Sequence, residues 1–345
     1  MIYGNIHAEG HKNNSLFANE DPVHRFNPTH TFRLLRENFL NYGVEINTPD
    51  INFGRQVIFD IYADGQKLEP RIRPRYLIAL ENPIINPLNA DTEYYLQFDR
   101  VFTWGKLKIK LDNTTAILIP HKLEFTEFPE FRQRPIFSCL INANKAFKKN
   151  FDSDLYLERL KTIRWHESHA PHDFELYGMG WEKSVPAYTA IGRLSRLIPR
   201  LKTRLLGVPA FPSFRGELND KSTALRLTKF SYCYENSQGV SNYITEKIFD
   251  SFVSGCVPIY WGADNILEYI PTQCFIDRRN FKDTEAVYKY LKSITSEQYN
   301  TFQKNILIFL QSKEASRFNT KNFARLVSFE VISNLQIQSL WPEVQ

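Results

Sequence analysis

The sequence predicts an α/β protein of two domains with a helical tail at its C-terminal end. Its 345 residues are more than a single hydrophobic core usually accommodates, so two domains are expected. Hydrophobic residues make up 43% and charged residues 23%, which is an ordinary globular composition. Short apolar runs alternate with amphipathic helical segments, a pattern typical of α/β layers. We therefore predict domains at residues 1–134 and 135–315, with the tail at 316–345.

The first predicted domain opens with a helix and continues with strands. HTFRLLRENFLNYGVEINT has the pattern of an amphipathic helix that ends at Gly43 and leads into a strand. Four apolar runs, each bounded by turn residues, predict further strands. They are RQVIFDIYADG, RYLIALEN, RVFTWG and AILIP.

The second predicted domain begins near Pro135 and repeats the alternation. Strands are predicted in PIFSCLINANK, DFELYGMGW, TKFSYCYEN and CVPIYWG. Helices are predicted in SDLYLERLKTIRWHE, TEAVYKYLKSI, EQYNTFQKNILIFLQ and NTKNFARLVSFEVISNLQ.

The net charge of the chain indicates which kinds of ligand it can bind, and its cysteines indicate the redox state of its cellular compartment. Lys and Arg number 43 against 38 Asp and Glu, a net charge of +5 that suits an anionic small ligand and does not predict nucleic-acid binding. The four cysteines lie in or beside apolar runs and form no CxxC pair, which predicts buried free thiols in a reducing compartment. Neither a signal peptide nor a membrane span is recognisable, so a cytoplasmic protein is expected.

One segment, YENSQGVSNYITEKIFDSFVSGCVPIYWG at residues 234–262, combines a polar loop, a helix and a strand. Thr245 can cap the helix through its hydroxyl group, and Gly255 can end it. The start of such a helix binds anions through its free N–H groups, and Lys247 adds a positive charge. Glu246 would repel a phosphate but suits paired sugar hydroxyl groups. A nucleotide meets both demands, although a Glu and a Lys in a first helical turn are also ordinary solvated residues.

The same segment resembles the donor-site signature of the α-1,3/4-fucosyltransferases, glycosyltransferase family 10. The likeness runs without a gap from the aromatic-Glu-Asn-Ser stretch, through Tyr-Ile-Thr-Glu-Lys, to Pro-Ile-Tyr-Trp-Gly. It implies a GT-B-like fold, in which two Rossmann-like α/β domains face each other across a cleft. The N-terminal domain would bind the acceptor, and the C-terminal domain would bind GDP-fucose.

The resemblance also implies the residues of the donor site. Lys247 would contact the phosphates and Glu246 the sugar hydroxyl groups. A further basic contact in the family matches CLINANKAFKKN, where this chain offers Lys148 or Lys149, each a point charge that cannot make the bidentate fork of an arginine. The implied donor-binding residues are Tyr243, Glu246, Lys247, Glu235, Asn236, Lys148, Lys149 and Thr245.

The catalytic base implied by the resemblance is Glu81, in RYLIALENPIINPL. It follows a predicted strand, where open α/β sheets place their ligands. A positioned carboxylate can take the proton that the acceptor hydroxyl loses in the transition state. The alternative is a strand-end glutamate that is solvated or salt-bridged to Arg71, Arg73 or Arg75.

Two further patterns compete with this interpretation. Asp152-Ser153-Asp154 is a DxD pattern, which holds Mn²⁺ or Mg²⁺ in GT-A transferases, but it precedes a predicted helix and indicates an aspartate cap instead. His166, His169 and His172 have the spacing of a metal patch. Pro171 would break a helix there, so exposed loop histidines are expected. We predict no bound metal and no cofactor.

The implied function is inverting transfer of L-fucose from GDP-β-L-fucose to a hydroxyl group of an oligosaccharide or glycoconjugate, with O3 of GlcNAc or Glc as the expected position. Two alternatives stay open: an inverting transferase that uses another GDP-sugar, and a sugar- or nucleotide-binding protein without catalysis.

The segment GRLSRLIPRLKTRLLG, residues 192–207, adds a question about membranes. Its leucines and its arginines fall on neighbouring faces at helical spacing. A basic amphipathic helix of this kind can lie in an anionic membrane interface. The alternative is an apolar face that packs on its own domain, and Pro199 interrupts the helix unless a second helix begins there.

Overall fold

A computed structural model describes residues 1–18, 29–105, 111–147, 152–184, 186 and 209–335 of the chain. The chain forms two compact units. Unit 1 consists of Met1–Leu123 and Ser316–Gln345, and unit 2 consists of Glu124–Ala315. Lys148, Lys149 and residues 192–207 lie outside the described residues. Within the described ranges, no helix is both long and apolar enough to cross a bilayer.

Unit 1 is built on a sheet in which every strand runs parallel to its neighbours. Among the described residues the strands follow the order β2-β1-β3-β4-β5-β6. Because the strands are parallel, their carboxyl ends meet at one edge of the sheet. The strands are β1 Ile2–Ala8, β2 Val44–Asn47, β3 Val57–Ala63, β4 Arg75–Ala79, β5 Arg100–Thr103 and β6 Thr114–Ala116.

Helices cover the apolar side chains of this sheet. Phe59 and Tyr76 of the sheet belong to one core cluster with residues of two helices, α1 and α9. Tyr62 and Leu77 belong to a second cluster, which includes residues of the short helix α2. The alternation of side chains along each strand explains how one sheet supplies two clusters. The helices are α1 Thr29–Asn41, α2 Thr92–Tyr95 and α9 Thr320–Asn334.

Unit 2 repeats the parallel α/β plan. Its described strands follow the order β11-β10-β9-β7-β8, and each pair is parallel. The strands are β7 Ile136–Ile141, β8 Phe174–Tyr177, β9 Thr228–Tyr234, β10 Val257–Trp261 and β11 Ile276–Asp277. Among the described residues the helices are α3 Leu155–His169, α4 Lys221–Leu227, α5 Glu246–Val253, α6 Thr284–Ser293, α7 Ser296–Leu310 and α8 Lys313–Ser316, the last of which ends at the first residue of the C-terminal part of unit 1. The predicted α/β class with two parallel-sheet domains is confirmed.

The boundary predicted between residues 134 and 135 lies earlier in the structure, between residues 123 and 124, whereas the boundary predicted between residues 315 and 316 is found there. Residues 124–134 belong to unit 2, because the fully buried Arg134 donates hydrogen bonds to the carbonyl oxygens of Leu225, Thr228 and Ser254. Phe128 lies against Gly255, which has φ +65° and where a Cβ would come within 2.4 Å of the phenyl ring. That glycine ends α5 as expected.

The C-terminal helix is part of a core and not a separate tail. Helix α9 contacts α1, and its apolar face is buried in the core of unit 1. Exposure of this apolar face to water would be unfavourable. The helix therefore packs on the sheet that the N-terminal part of the chain forms. Its buried core residues are Phe323, Ala324, Val327, Val331 and Ile332.

Two strand predictions need correction. Strand β1 was not predicted, although it lies between β2 and β3 in the sheet. Asn5 and His7 interrupt its apolar pattern, and both bond to the carboxylate of Asp60. The run AILIP is not a strand: β6 ends at Ala116, at the first residue of the run.

The cysteine prediction is confirmed in its structural part. The thiols of Cys139, Cys233, Cys256 and Cys274 are free and buried. Burial raises the pKa of Cys139 to about 12 and that of Cys233 to about 11. These thiols are therefore protonated at neutral pH and pack as small apolar groups.

Candidate functional site

A buried carboxylate fixes the start of helix α5. Glu235 directly follows β9, and its backbone N–H donates to the carbonyl oxygen of Trp261 at the end of β10, at 2.8 Å. The side chain of Glu235 is fully buried. Its carboxylate accepts hydrogen bonds from the backbone N–H of Thr245 at 2.8 Å and from the Thr245 hydroxyl at 2.7 Å. Glu235 thus ties the end of β9 to the residue that precedes α5.

The close packing around Glu235 requires a glycine at position 262. A Cβ at Gly262 would lie 2.3 Å from Cγ of Glu235 and 2.5 Å from the hydroxyl oxygen of Tyr260. Neither atom belongs to a flexible chain end, so any side chain there would displace the carboxylate. The glycine that closes the quoted motif therefore has a steric function.

Lys247 forms an ion pair with this carboxylate. Its Nζ lies 3.2 Å from Oε2 of Glu235 and donates to the Thr245 hydroxyl at 2.9 Å and to Oε1 of Glu246 at 3.3 Å. Burial acts to lower the pKa of Lys247, but the carboxylates of Glu235 and Glu246 outweigh it and raise that pKa above its ordinary range. The ammonium group is therefore a permanent positive charge in the first turn of α5.

The predicted cap of α5 is correct in position and wrong in chemistry. Thr245 is the N-cap residue, but its hydroxyl does not accept from a backbone N–H of the helix. It instead donates to Glu235 and accepts from Lys247. The Thr245 side chain thus makes no cap hydrogen bond to this eight-residue helix, whose first turn presents the positive end of the helix dipole.

Glu246 lies at the outer side of this cluster, with 43% of its side chain exposed. Its Oε1 is 3.8 Å from Nζ of Lys221, a residue of α4 that sequence reasoning missed. Lys221 also donates to Asp250 at 2.7 Å. Lys221 and Lys247 thus form a connected ion-pair cluster with three carboxylates, those of Glu235, Glu246 and Asp250.

Tyr243 and Asn236 contact one another across the loop. The Asn236 amide donates to the Tyr243 hydroxyl at 3.3 Å, and Tyr243 is almost fully buried. The structure therefore brings together Glu235, Asn236, Tyr243, Thr245, Glu246 and Lys247 of the predicted donor site. Lys148 and Lys149 lie outside the described residues.

Arg159 of α3 is a site residue that the sequence analysis missed. Its Nη2 donates to the carbonyl oxygens of Tyr234 and Glu235 and to Oδ1 of Asn236, at 2.7–3.2 Å. The guanidinium group is buried, which lowers the pKa of Arg159, and it stabilises the turn after β9. A signal was present: Arg159 is a charge four residues from both Leu155 and Ile163, on the buried face of the helix.

Glu81 lies in unit 1, two residues after β4 ends. It is half-buried, and its Oε1 accepts from the backbone N–H of Asn82 at 2.8 Å. Of the arginines named in the alternative interpretation, Arg71 pairs with Asp99, Arg73 pairs with Asp60, and Arg75 donates to the carbonyl oxygen of Glu69. The structure thus places Glu81 at the carboxyl edge of the sheet, as the sequence analysis expected.

The DxD pattern caps a helix, as predicted. Asp154 is the N-cap of α3, and its Oδ1 accepts from the backbone N–H of Tyr156 at 2.7 Å. Within the described ranges, no group of three or more His, Cys, Asp or Glu side chains is arranged to hold a metal ion.

The prediction of exposed loop histidines is wrong for His166. This residue is fully buried in α3, stacks on Phe174 and bonds through Nε2 to the hydroxyl of Tyr232 at 2.9 Å. Burial lowers the pKa of His166 to about 3, so the ring is neutral. His169 is exposed as expected but lies in the last turn of the helix, so the prediction of a loop is wrong for it as well, and it holds for His172, which follows the helix.

Comparison with known proteins identifies the segment that contains the donor motif. Residues 199–320 match the model of the glycosyltransferase family 10 (fucosyltransferase) C-terminal domain. Alpha-(1,3)-fucosyltransferase FucT of Helicobacter pylori is 29% identical over 115 residues, which are 32% of this chain and 24% of that protein. Alpha-(1,4)-fucosyltransferase of Arabidopsis thaliana is 38% identical over 71 residues, 21% of this chain and 18% of that protein. The matched segments span a quarter or less of these relatives, and the resemblance to the family is confirmed.

Solved structures extend the similarity to the fold of the whole chain. A crystal structure of alpha1,3-fucosyltransferase with GDP covers 100% of this chain and 93% of its own, with 12% identity and a TM-score of 0.51. Sucrose-phosphate synthase from Thermosynechococcus elongatus covers 97% of this chain and 99% of its own, with 11% identity and a TM-score of 0.57. At these identities the likeness concerns the fold alone, and it confirms the predicted GT-B-like class.

Proposed function

We propose that this chain, which carries a family 10 fucosyltransferase C-terminal domain, transfers L-fucose from GDP-β-L-fucose to a hydroxyl group of a glycan. One observation carries the proposal: the buried Glu235 fixes Thr245 and Lys247 at the start of α5, inside the segment that matches the family. A cation held rigidly at the positive end of a helix dipole suits a diphosphate. By resemblance, the glycan position is O3 of GlcNAc or Glc.

Unit 2 would bind the donor. Lys247 would stabilise the diphosphate, whose negative charge grows as GDP leaves. Glu246, half-exposed at the surface of the site, would accept hydrogen bonds from sugar hydroxyl groups. Glu235 would act indirectly. Its carboxylate is fully buried, and it would hold Lys247 and Thr245 in position.

Glu81 would act as the general base. The acceptor oxygen attacks the anomeric carbon of fucose from the face opposite GDP and loses its proton to Glu81. The bond between the anomeric carbon and the phosphate oxygen breaks, and GDP takes the electron pair. This single displacement inverts the β-linked donor to an α-linked product and needs no covalent intermediate.

The deciding experiment is a transfer assay with GDP-fucose and a panel of oligosaccharides, with the linkage of the product determined by NMR. We expect an α-linked fucose on one class of acceptor. A parallel assay with other GDP-sugars tests the alternative donor. Tight GDP binding without transfer to any acceptor would favour a binding protein and count against the proposal.

We expect transfer to be independent of divalent metal. The lysines around α5 supply fixed positive charge at the proposed diphosphate site, and Asp154 of the DxD pattern serves as a helix cap. Activity in excess EDTA should therefore remain within about 2-fold of the untreated value, because no metal ion is expected to stabilise the transition state. Loss of activity in EDTA with recovery in Mn²⁺ would contradict this expectation and favour a metal-bound donor.

A further inference from the structure

We propose that Asp64 is a positioning residue for Glu81, and that Asn89 and Trp104 complete a cradle around the same peptide units. This inference rests on the proposed function, because Glu81 is the proposed base. It assigns a purpose to three side chains that lie far apart in the sequence and have no direct part in the transfer step.

Asp64 accepts hydrogen bonds from two successive backbone N–H groups, those of Leu80 and Glu81. Its Oδ1 accepts a hydrogen bond from the backbone N–H of Leu80 at 2.7 Å and from that of Glu81 at 2.8 Å. A carboxylate that accepts two adjacent amides makes charge-assisted hydrogen bonds, which are short and strong. Asp64 therefore fixes the backbone from which the Glu81 side chain extends.

Asn89 and Trp104 bind the carbonyl groups of the same two residues. The Asn89 amide donates to the carbonyl oxygen of Glu81 at 2.9 Å and to Oδ1 of Asp64 at 2.8 Å. The indole N–H of Trp104 donates to the carbonyl oxygen of Leu80 at 2.9 Å. All four backbone polar groups of Leu80 and Glu81 thus have side-chain partners, although both residues lie beyond the end of β4.

The topology of unit 1 explains this convergence. Asp64 directly follows β3, Glu81 lies just beyond β4, and Trp104 directly follows β5. These three strands are adjacent and parallel, so their carboxyl ends meet at one edge. Asn89 is almost fully buried beside them, and its Oδ1 accepts from the backbone N–H of Gly65 at 2.7 Å.

The backbone of Asp64 adopts an unfavourable conformation in this arrangement. Asp64 has φ +62°, in the left-handed region that residues other than glycine seldom occupy. Such a conformation persists where the surroundings over-determine it, and it is concentrated at functional sites. Here the left-handed turn directs the carboxylate of Asp64 towards the two amides after β4.

The purpose of such a cradle is to fix the distance between the base and the acceptor proton. Displacement of a catalytic group by about 1 Å can cost about 10²-fold in rate. With its backbone held on both sides, Glu81 retains freedom only in its side chain, whose Oε1 accepts from the N–H of Asn82.

The test uses the full chain and two substitutions at one position. Asp64→Gly removes the carboxylate while allowing the positive φ without strain. We expect it to reduce kcat by about 10²-fold, with the KM for GDP-fucose and the affinity for GDP unchanged. Asp64→Asn keeps an acceptor oxygen and tolerates the same φ, so it should recover most of the activity. Asp91→Gly is a matched control, because Asp91 also accepts two backbone amides but caps α2.

A double-mutant cycle with Glu81→Gln separates positioning from general stability. If Asp64 acts through Glu81, then adding Asp64→Gly to the Glu81→Gln protein should lower kcat only slightly further. An equal loss in both backgrounds, or wild-type kcat in Asp64→Gly, would overturn the inference. If Asp64→Gly fails to fold, Trp104→Phe removes one indole N–H and enters the same cycle under the same criteria. Wild-type turnover by Glu81→Gln would instead show that the proposed base is wrong.

Discussion

Replacing Glu81 with glutamine should reduce fucose transfer by about 10²–10⁴-fold while leaving the protein folded and able to bind GDP. Glutamine has nearly the same size, and its carbonyl oxygen can still accept the hydrogen bond from the N–H of Asn82. It cannot take a proton at neutral pH, so the acceptor hydroxyl would lose its base. The readouts are kcat for transfer, calorimetry with GDP and the midpoint of thermal unfolding.

The matched control for this substitution is Glu93→Gln, which neutralises an exposed carboxylate of α2 in the same unit. We expect the control to retain full activity. Turnover by Glu81→Gln within a few-fold of wild type would remove Glu81 from the proposed mechanism. A loss of GDP affinity in Glu81→Gln would assign the residue to the donor instead.

Replacing Lys247 with alanine should weaken GDP binding and destabilise the protein at the same time. Loss of a charged hydrogen bond to the diphosphate should cost about 1.5–3 kcal/mol of binding free energy. Removing the cation also leaves the buried carboxylate of Glu235 without its ion-pair partner, at a cost on the order of 3–5 kcal/mol in the free energy of unfolding. Calorimetry with GDP and denaturant unfolding measure the two quantities.

A double variant separates these two effects. Glu235→Gln with Lys247→Met removes both charges of the pair, so much of the stability should return. If Lys247 contacts the diphosphate, GDP affinity should stay low in this stable protein. Wild-type GDP affinity in the double variant would show that Lys247 serves only to neutralise Glu235. Lys161→Met, at an exposed lysine of α3, provides a control for the loss of one surface charge.

The sequence predicted most of the secondary structure because apolar periodicity follows from burial on one face. The prediction failed for β1, where Asn5 and His7 satisfy a buried carboxylate and the apolar alternation is lost. It also failed for the C-terminal helix as a tail. Periodicity reveals that α9 has an apolar face, but not which distant segment covers it.

The residues of the donor motif are close in sequence, so the resemblance to a known family could mark them together, and the same resemblance singled out Glu81 after a predicted strand. The partners of these residues were not predictable in the same way. Asp64 and Trp104 reach Glu81 only because three parallel strands end at the same edge. Arg159 approaches the donor loop from a helix more than 70 residues earlier in the chain. Such contacts depend on strand order, which local patterns do not contain.

Unit 1 is built from both ends of the chain, which affects how the protein can fold during its synthesis on the ribosome. Domains usually fold as units in the order of their synthesis. Here α1 and the strands of the first 123 residues emerge first, but α9 completes their core only when residues 320–334 have been made. Unit 2 is continuous and can fold in the meantime. We therefore expect the nascent first segment to expose the apolar surface of α1 and the sheet until α9 has been made and can cover it.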